Sequence, residues 1–185
     1  PDSEHAFSLA MDYFQGLFGN DRAKFTGAAE ELAHLRPRSV HAHLLAAIAA
    51  VAPAEGVSGA PNEEQLNSAE SSYAKALEID PNDAHARALY GNLLIVRGRD
   101  TEALAQSDAA LAVDPNNRLA LFNRMMLIPP AERKDAAQRL VAVDPNNPLH
   151  WFHYAAALRG LGQTDEALQA AQQAVDLDPN GLFYG

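Results

Sequence analysis

The chain contains no cysteine. This absence excludes disulfide bonds, thiolate nucleophiles and cysteine-ligated metals, but it suits the cytoplasm and the periplasm equally. Long apolar runs are missing too. The least polar stretch, residues 40–54, is interrupted by two histidines and falls short of the roughly 20 apolar residues that span a bilayer. We therefore expect a soluble domain whose compartment the composition does not identify.

Basic residues are scarce, with 14 lysines and arginines against 24 aspartates and glutamates and a net charge of −10. Nucleic-acid affinity comes mostly from basic side chains that neutralise phosphates, so we expect no nucleic acid partner for this domain. Only three of the basic residues are lysine. We interpret this usage as the codon bias of a GC-rich bacterial genome.

The familiar motifs of catalysis are also missing from the sequence. It has no G-x-x-x-x-G-K phosphate loop, no G-x-S-x-G elbow and no H-E-x-x-H zinc motif. Ser72-x-x-Lys75 has the spacing of a Ser–Lys pair and His150-x-x-His153 that of a metal chelate, but both fit better on an ordinary helix face. We predict that the chain is not an enzyme, has no catalytic residues and binds neither a metal nor a cofactor.

What the sequence does contain is a repeated pentapeptide. Val-Asp-Pro-Asn-Asn occurs at residues 113–117 and 143–147, with near copies at 79–83 and 177–181. The prolines of these four copies lie 34, 30 and 34 residues apart, and Pro37 precedes the first of them by 44 residues. Self-similarity at this period is typical of stacked repeats, in which each unit buries its apolar face against its neighbours.

Between the prolines, apolar residues recur three and four residues apart, as on one face of an α-helix. Proline cannot donate to the helix ladder and moves the preceding residue out of the α region, so each Asp-Pro pair ends a helix. The Asn or Asp that follows can cap the next one. Each interval thus predicts a helical hairpin, and the chain an all-α solenoid in a single array. The predicted units are residues 3–39, 40–83 with an inserted loop at 52–64, 84–117, a shortened unit at 118–147, and 148–180, followed by 181–185 as the start of a further helix or a tail.

The unit at residues 148–180 carries a family pattern. It reads Trp151-x2-Tyr154-Ala155, then Gly162, Ala167-x3-Ala171, Ala174 and Pro179. This spacing of aromatic and small residues resembles the tetratricopeptide repeat (TPR), and residues 84–117 follow it with departures at Arg87 and Ser107. The resemblance covers residues 40–180, and the whole chain if the first hairpin belongs. It implies a right-handed superhelix of stacked antiparallel hairpins.

The resemblance implies binding. In TPR proteins the first helices of the hairpins line a concave groove that holds a peptide or a partner's helix. Here the groove positions are unusually apolar and predict a hydrophobic recognition groove. The alternative is that some of these side chains only complete the packing of a tight superhelix. The predicted groove residues are His41, Leu45, Ile48, His85, Leu89, Asn92, Leu119, Phe122, Asn123, Met126, Leu149, Phe152 and His153.

A subgroup of TPR domains grips a C-terminal carboxylate with three cations and two asparagines. Asn92 and Asn123 match the asparagine positions, but Ala88, Leu149 and His153 stand where the cations belong. Without cations, the charge-assisted hydrogen bonds to a carboxylate are lost. We therefore expect the two asparagines to bond the backbone of an extended or helical peptide instead.

Three roles remain open at this level. The favoured one is a protein-interaction scaffold, such as an assembly factor. The others are a sensory domain of a bacterial transcription regulator or cyclase, and an accessory module that presents substrates to a larger enzyme. The apolar residues at 182–185 either begin a further helix or dock in a groove, which includes the groove of a second copy and so predicts a homo-oligomer.

Overall fold

A computed structural model describes residues 2–18, 21–52 and 60–178 of the chain. The middle of the predicted insertion and the predicted tail lie outside these ranges. The described residues form ten α-helices and a short 3-10 helix at Pro130–Glu132, without a strand. None of these helices is long and apolar enough to cross a membrane. The helices are α1 Asp2–Phe18, α2 Arg22–Leu35, α3 Val40–Val51, α4 Glu63–Ile79, α5 Ala84–Val96, α6 Asp100–Val113, α7 Arg118–Leu127, α8 Arg133–Val143, α9 Pro148–Gly160 and α10 Thr164–Leu177.

The helices pair in chain order into five hairpins, α1 with α2, α3 with α4, and so on to α9 with α10. The second helix of each of the first four hairpins also packs on the first helix of the next hairpin, and α5 packs directly on α7. This stacking confirms the predicted all-α solenoid. The hairpins stack because their helices are apolar on more than one side and bury each apolar side against a neighbouring helix.

The Asp-Pro turns are closed by side chains at fixed positions, as the pentapeptide predicts. The Asp80 carboxylate accepts a hydrogen bond from the backbone N–H of Asn82 at 2.9 Å, which holds the turn after α4. The last residue of the pentapeptide then caps the next helix through its side-chain oxygen, which satisfies a backbone donor that the helix itself leaves free. The caps of α5, α7 and α9 are Asp83, Asn117 and Asn147.

The proline carbonyl of each described turn accepts a side-chain hydrogen bond, and the donor differs from turn to turn. In three turns the donor lies six residues after the proline. These bonds are His43 Nε2 to Pro37 at 3.1 Å, Arg87 Nε to Pro81 at 2.8 Å, and Trp151 Nε1 to Pro145 at 2.7 Å. In the fourth turn Leu121 occupies that position, and Arg139 of α8 donates to Pro115 instead. Arg87, a departure from the family pattern, therefore makes the backbone contact that Trp151 makes.

The inserted loop ends earlier than predicted. Asn62 and Gln65 form a capping box at the start of α4, with the Asn62 side chain accepting from the Gln65 N–H at 2.9 Å and the Gln65 side chain accepting from the Asn62 N–H at 3.0 Å. Glu63 and Glu64, which the prediction placed in the loop, instead form the first helical turn. Negative charge is favourable there because it faces the positive end of the helix dipole.

The interior is built largely from alanine, which lets helix axes approach to about 8–10 Å. Two helices approach closely at Gly91 of α5. A Cβ atom added there would lie 3.2 Å from Ser107 Oγ and 3.3 Å from the Ala103 carbonyl oxygen. The fully buried alanines are Ala29, Ala47, Ala49, Ala69, Ala76, Ala86, Ala88, Ala103, Ala110, Ala120 and Ala137.

Candidate partner-binding groove

The thirteen predicted groove residues lie on the first helices α3, α5, α7 and α9 and differ widely in exposure. Five are exposed, seven are half-buried and one is fully buried. The exposed ones are His41, His85, Asn92, Met126 and Phe152. The half-buried ones are Leu45, Ile48, Leu89, Leu119, Phe122, Leu149 and His153, and the buried one is Asn123.

Three of the half-buried leucines are engaged in packing between hairpins. Leu45 packs against the core of the α1–α2 hairpin, and Leu89 against the core formed with α3 and α4. Leu119 packs at the joint where α7 meets α5 and α6. For these residues the structure agrees with the alternative interpretation, in which groove positions complete the stacking of the superhelix.

A different group lies on α7 and α9, and we call it the α7–α9 patch: Phe122, Met126, Phe152 and His153. The His153 ring contacts both phenyl rings in edge-on geometry, with ring centroids 5.5 Å from Phe122 and 5.6 Å from Phe152. Met126 and Phe152 nevertheless remain 46% and 47% exposed. The patch is therefore an ordered apolar surface that stays partly in water.

A cavity of about 80 Å³ opens beside the patch, bounded by Met126, Pro130, His153 and Gly160 among others. Its origin is the short α7, which has 10 residues where α5 and α9 each have 13. Pro129 and Pro130 follow directly after the end of α7, so the last turn of α9 faces a position where α7 has no turn. At ~30 Å³ per water molecule, the cavity has room for two or three waters or for one small side chain.

Arg133 forms one wall of this cavity and holds the end of α7. Its Nε donates to the Ile128 carbonyl at 3.1 Å and its Nη2 to the Met126 carbonyl at 3.4 Å. Burial, together with the neighbouring His150 and Arg133, holds the pKa of His153 below its ordinary value of 6.5. The His153 ring is therefore neutral at pH 7, and the patch presents no imidazolium charge to a ligand.

The structure places Asn123 differently from the prediction. Its side chain is 0% exposed, because its Nδ2 donates to the Ala88 carbonyl of α5 at 2.8 Å. Its Oδ1 lies 3.5 Å from the Asn92 amide. Asn123 therefore joins α7 to α5 and does not face a ligand, whereas Asn92 remains exposed. The two asparagines do not form a matched pair of ligand contacts.

Sequence reasoning missed the residues that shape the cavity, Pro130 and Arg133 above all. A signal was present in the sequence, because the double proline and the 30-residue interval mark where one helix turn is lost. The prediction used the 30-residue interval to define the shortened unit at 118–147 and did not connect it with an opening beside α9.

The other sequence candidates lie apart from the groove. Ser72 and Lys75 both line a polar, solvent-open hollow between α2, α3 and α4. His150, of the His150-x-x-His153 pair, is 4% exposed, and its Nδ1 lies 3.2 Å from the Asp144 carbonyl oxygen. Within the described ranges, no group of three or more histidine, aspartate or glutamate side chains is placed to hold a metal ion.

Comparisons with known proteins agree with this architecture. Two family models, both described as tetratricopeptide repeat, match residues 62–122 and 136–169, together slightly more than half of the chain. Among curated proteins, no sequence matches the chain significantly.

Solved structures similar to the chain include those of three TPR proteins. PilF of Pseudomonas aeruginosa is 18% identical, with 95% of this chain and 77% of that one covered and a TM-score of 0.78. MamA of Desulfovibrio magneticus RS-1 is 16% identical over 95% and 96% of the two chains, with a TM-score of 0.71. YrrB, described as a TPR protein with an unusual peptide-binding site, is 16% identical over 91% and 84%, with a TM-score of 0.63. At these identities the likeness concerns the fold, and the bacterial source of this chain stays a prediction.

Proposed function

Because the chain belongs to the tetratricopeptide-repeat family, we propose that it is a non-catalytic protein–protein interaction scaffold that holds an apolar segment of a partner on the α7–α9 patch. The observation that carries this proposal is the exposure of Met126 and Phe152, 46% and 47%, beside a cavity of about 80 Å³. Apolar side chains that border a hollow and remain in water are typical of binding surfaces. The peptide-binding site named for YrrB supports the use of this fold for peptides.

The chemistry of the patch favours an apolar anchor over a terminal carboxylate. His153 is neutral at pH 7 because its pKa is lowered by burial. Ala88 and Leu149 occupy two of the clamp's cation positions, and the Arg133 guanidinium is bonded to backbone carbonyls. A ligand carboxylate would find no free cation among these groups. A single apolar side chain of the partner would enter the cavity, with the exposed Asn92 amide available to its backbone.

The charge of the chain adds a second preference. With a net charge of −10, the scaffold attracts basic segments and repels acidic ones over about one Debye length, ~8 Å at physiological ionic strength. We therefore expect a partner segment with an apolar anchor flanked by basic residues. Its association rate should fall as salt is added, while the contact of the anchor with the cavity should change little.

A selection from a random peptide library tests this proposal. Phage-displayed peptides are selected on the wild-type chain, and the affinity of those enriched is measured by fluorescence anisotropy for the wild type and for Met126→Asp. We expect enriched peptides to share an apolar anchor and to lose at least about tenfold in affinity, because the charged side chain would border the anchor's site. Ala105→Glu, on the exposed face of α6, is the matched control and should bind like the wild type.

Two results would contradict the proposal. One is a set of enriched peptides that bind Met126→Asp as tightly as the wild type. The other is an affinity that depends on a free C-terminal carboxylate. The assembly factor, the regulatory domain and the accessory module would all use the same patch, and the sequence selected from the library, matched to candidate partners, would separate them.

A further inference from the structure

A polar hollow of about 260 Å³ lies between α2 and α4. His43 and Ala46 of α3 line it and are only 6% and 7% exposed, so α3 forms its floor. Its walls are side chains of α2 and α4, two second helices that both pack on α3. The hollow shares no residue with the α7–α9 patch and has no part in the function proposed above.

The α4 wall of the hollow is a row of hydrogen-bond donors at the three- and four-residue spacing of one helix face. The row consists of Ser68, Ser71, Ser72 and Lys75. Within the described ranges, no other group of the protein is hydrogen-bonded to these hydroxyls or to the ammonium. The buried Ser107 of α6 differs, because its hydroxyl donates to the Ala103 carbonyl oxygen at 2.8 Å, as serine inside a helix often does. The donors on α4 are therefore available to a ligand.

The equivalent space in the next hairpin is filled by the protein itself. Arg87 of α5 donates to the Gln106 side chain of α6 at 2.9 Å. His43 corresponds to Arg87, since each lies six residues after a turn proline, and Ser72 corresponds to Gln106, 34 residues later. His43 and Ser72 are shorter than the residues that they replace. Their small size leaves the hollow where the next hairpin has a hydrogen-bonded pair.

No carboxylate of the described chain neutralises the Lys75 ammonium. Glu30 of α2 lines the same hollow and Glu78 lies one turn further along α4, yet neither forms an ion pair with Lys75. An ammonium donates hydrogen bonds and accepts none, so the row suits a negatively charged ligand that is rich in acceptors. A phosphate group carries a charge of about −1.5 to −2 at pH 7 and has three acceptor oxygens, more than a carboxylate offers.

We propose that the hollow binds a phosphate group, with Lys75, Ser71 and Ser72 as the donors. These residues lie within ~6 Å along the axis of α4, close enough to meet one phosphate. Ser68 lies almost one turn before Ser71 and would contact the group to which a phosphate ester is attached. The hollow has room for inorganic phosphate or a small monoester, since 260 Å³ is the volume of roughly eight or nine water molecules.

Titration with inorganic phosphate at constant ionic strength, followed by amide chemical shifts in two-dimensional NMR, tests the site. We expect saturable shifts around residues 68–75 of α4 and 30–34 of α2. Lys75→Gln should weaken binding at least about tenfold, because its charge-assisted hydrogen bonds are lost. Arg159→Gln, which removes the same charge from an exposed position of α9, is the matched control and should bind like the wild type. The spectra also show that each variant is folded.

Glu30→Gln gives a test of the opposite sign. The Glu30 carboxylate on the α2 wall repels a phosphate, so its removal should tighten binding about threefold. A substitution that only disturbed the packing of the wall would weaken binding instead. Binding of phosphate to Glu30→Gln that is no tighter than to the wild type would therefore count against recognition of an anion here.

Glycerol 3-phosphate and acetate, used as further probes, distinguish the sources of the anion. Tighter binding of glycerol 3-phosphate than of inorganic phosphate, with a loss in Ser68→Ala for the ester alone, supports the proposal with a monoester as the ligand. Equal affinities support it with free phosphate as the ligand. Acetate should bind much more weakly than either, because it has fewer acceptors and less charge.

Three results would overturn the proposal. They are phosphate shifts that do not saturate, a Lys75→Gln chain that binds phosphate as tightly as Arg159→Gln, and acetate that binds as tightly as phosphate. Met126→Asp, in the α7–α9 patch, should bind phosphate like the wild type. Peptide binding and phosphate binding can therefore fail separately.

Discussion

The hairpins α5–α6 and α9–α10 are equivalent at an interval of 64 residues, yet their surroundings differ. Both turn at a glycine with a positive φ, 69° at Gly98 and 75° at Gly162, which only glycine adopts without strain. The α5–α6 hairpin lies between α4 and α7. The α9–α10 hairpin packs on α8, and in the described chain its other side is open. Repeat position thus decides which side chains can pack, and the neighbour decides whether they are buried.

Each of the two hairpins is hydrogen-bonded to the second helix of the hairpin before it. The bond joins equivalent positions in both cases, but the charges of the two groups differ. Arg99 donates to the Glu70 carboxylate at 2.6 Å. At the equivalent positions, Lys134 donates to the Gln163 carbonyl oxygen at 2.8 Å. The bond to the α5–α6 hairpin is therefore an ion pair, whereas the bond to the α9–α10 hairpin joins a cation to a neutral amide. The comparison shows that the stacking tolerates a change of charge as long as a donor and an acceptor meet.

Overpacking should distinguish the enclosed face from the open one most strongly. Ser107→Leu would force a larger, branched side chain into the joint between α5 and α6, where Ser107 is 0% exposed, at a cost of about 3 kcal/mol in the free energy of unfolding. Ala171→Leu, at the equivalent position 64 residues later, lies on an exposed face and should cost less than about 1 kcal/mol. Urea unfolding followed by circular dichroism measures both. Equal losses would mean that the two faces are equally covered.

Removing the buried amide should have the next largest effect. Asn123→Ala would remove the side-chain donor to the Ala88 carbonyl at a position that is 0% exposed, at a cost of about 2 kcal/mol in the free energy of unfolding. Asn92→Ala, its exposed neighbour, should change stability by less than ~0.5 kcal/mol. If Asn92→Ala proved as damaging as Asn123→Ala in chemical unfolding, the assignment of Asn123 as the joint residue would be wrong.

Glu70 should give the smallest effect, and one that depends on pH. Burial alone would raise the pKa of Glu70, but hydrogen bonds from Arg99 and Tyr90 and the charges of Arg99 and Arg97 hold it below its ordinary value of 4.5. The folded state therefore favours the charged form, so its contribution to stability is present above pH 4.5 and is lost as pH falls through the lowered pKa.

Glu70→Gln should cost roughly 1 kcal/mol at neutral pH, since the network is partly exposed, and should flatten the loss of stability in acid. Thermal melts between neutral pH and about pH 3 measure both effects. Glu78→Gln, an exposed glutamate in the same helix, is the control and should leave the acid profile unchanged. A profile for Glu70→Gln as steep as that of the wild type would show that other carboxylates cause the acid loss.

Much of the fold could be predicted because its signals are local. Proline and capping residues set the ends of α3 and α7, so Val40–Val51 and Arg118–Leu127 each begin at the start of a predicted unit, 40–83 and 118–147. The start of α4 was missed by two residues, since a capping box at Asn62 with Gln65 looks, in sequence, like the polar end of a loop.

The candidate site was predictable only in part. Helical spacing placed Phe122, Met126, Phe152 and His153 on exposed faces of first helices, and the structure brings the three rings together. Helical spacing did not show that Asn123 is buried and Asn92 exposed, because this difference depends on how closely α7 approaches α5 at Gly91. Side chains at equivalent repeat positions look alike in sequence and separate only when distances between helices are known.

The sequence by itself determined where the helices end and that the hairpins stack, because turn chemistry and apolar spacing act over a few residues. Only the tertiary structure decided which faces are enclosed and which are open. Burial depends on what a neighbouring helix contributes, and the loss of one turn after Met126 opens a cavity whose other wall is 27 or more residues away along the chain. The pentapeptide sets the spacing of the helices, and the gaps between these helices form the cavity and the exposed faces.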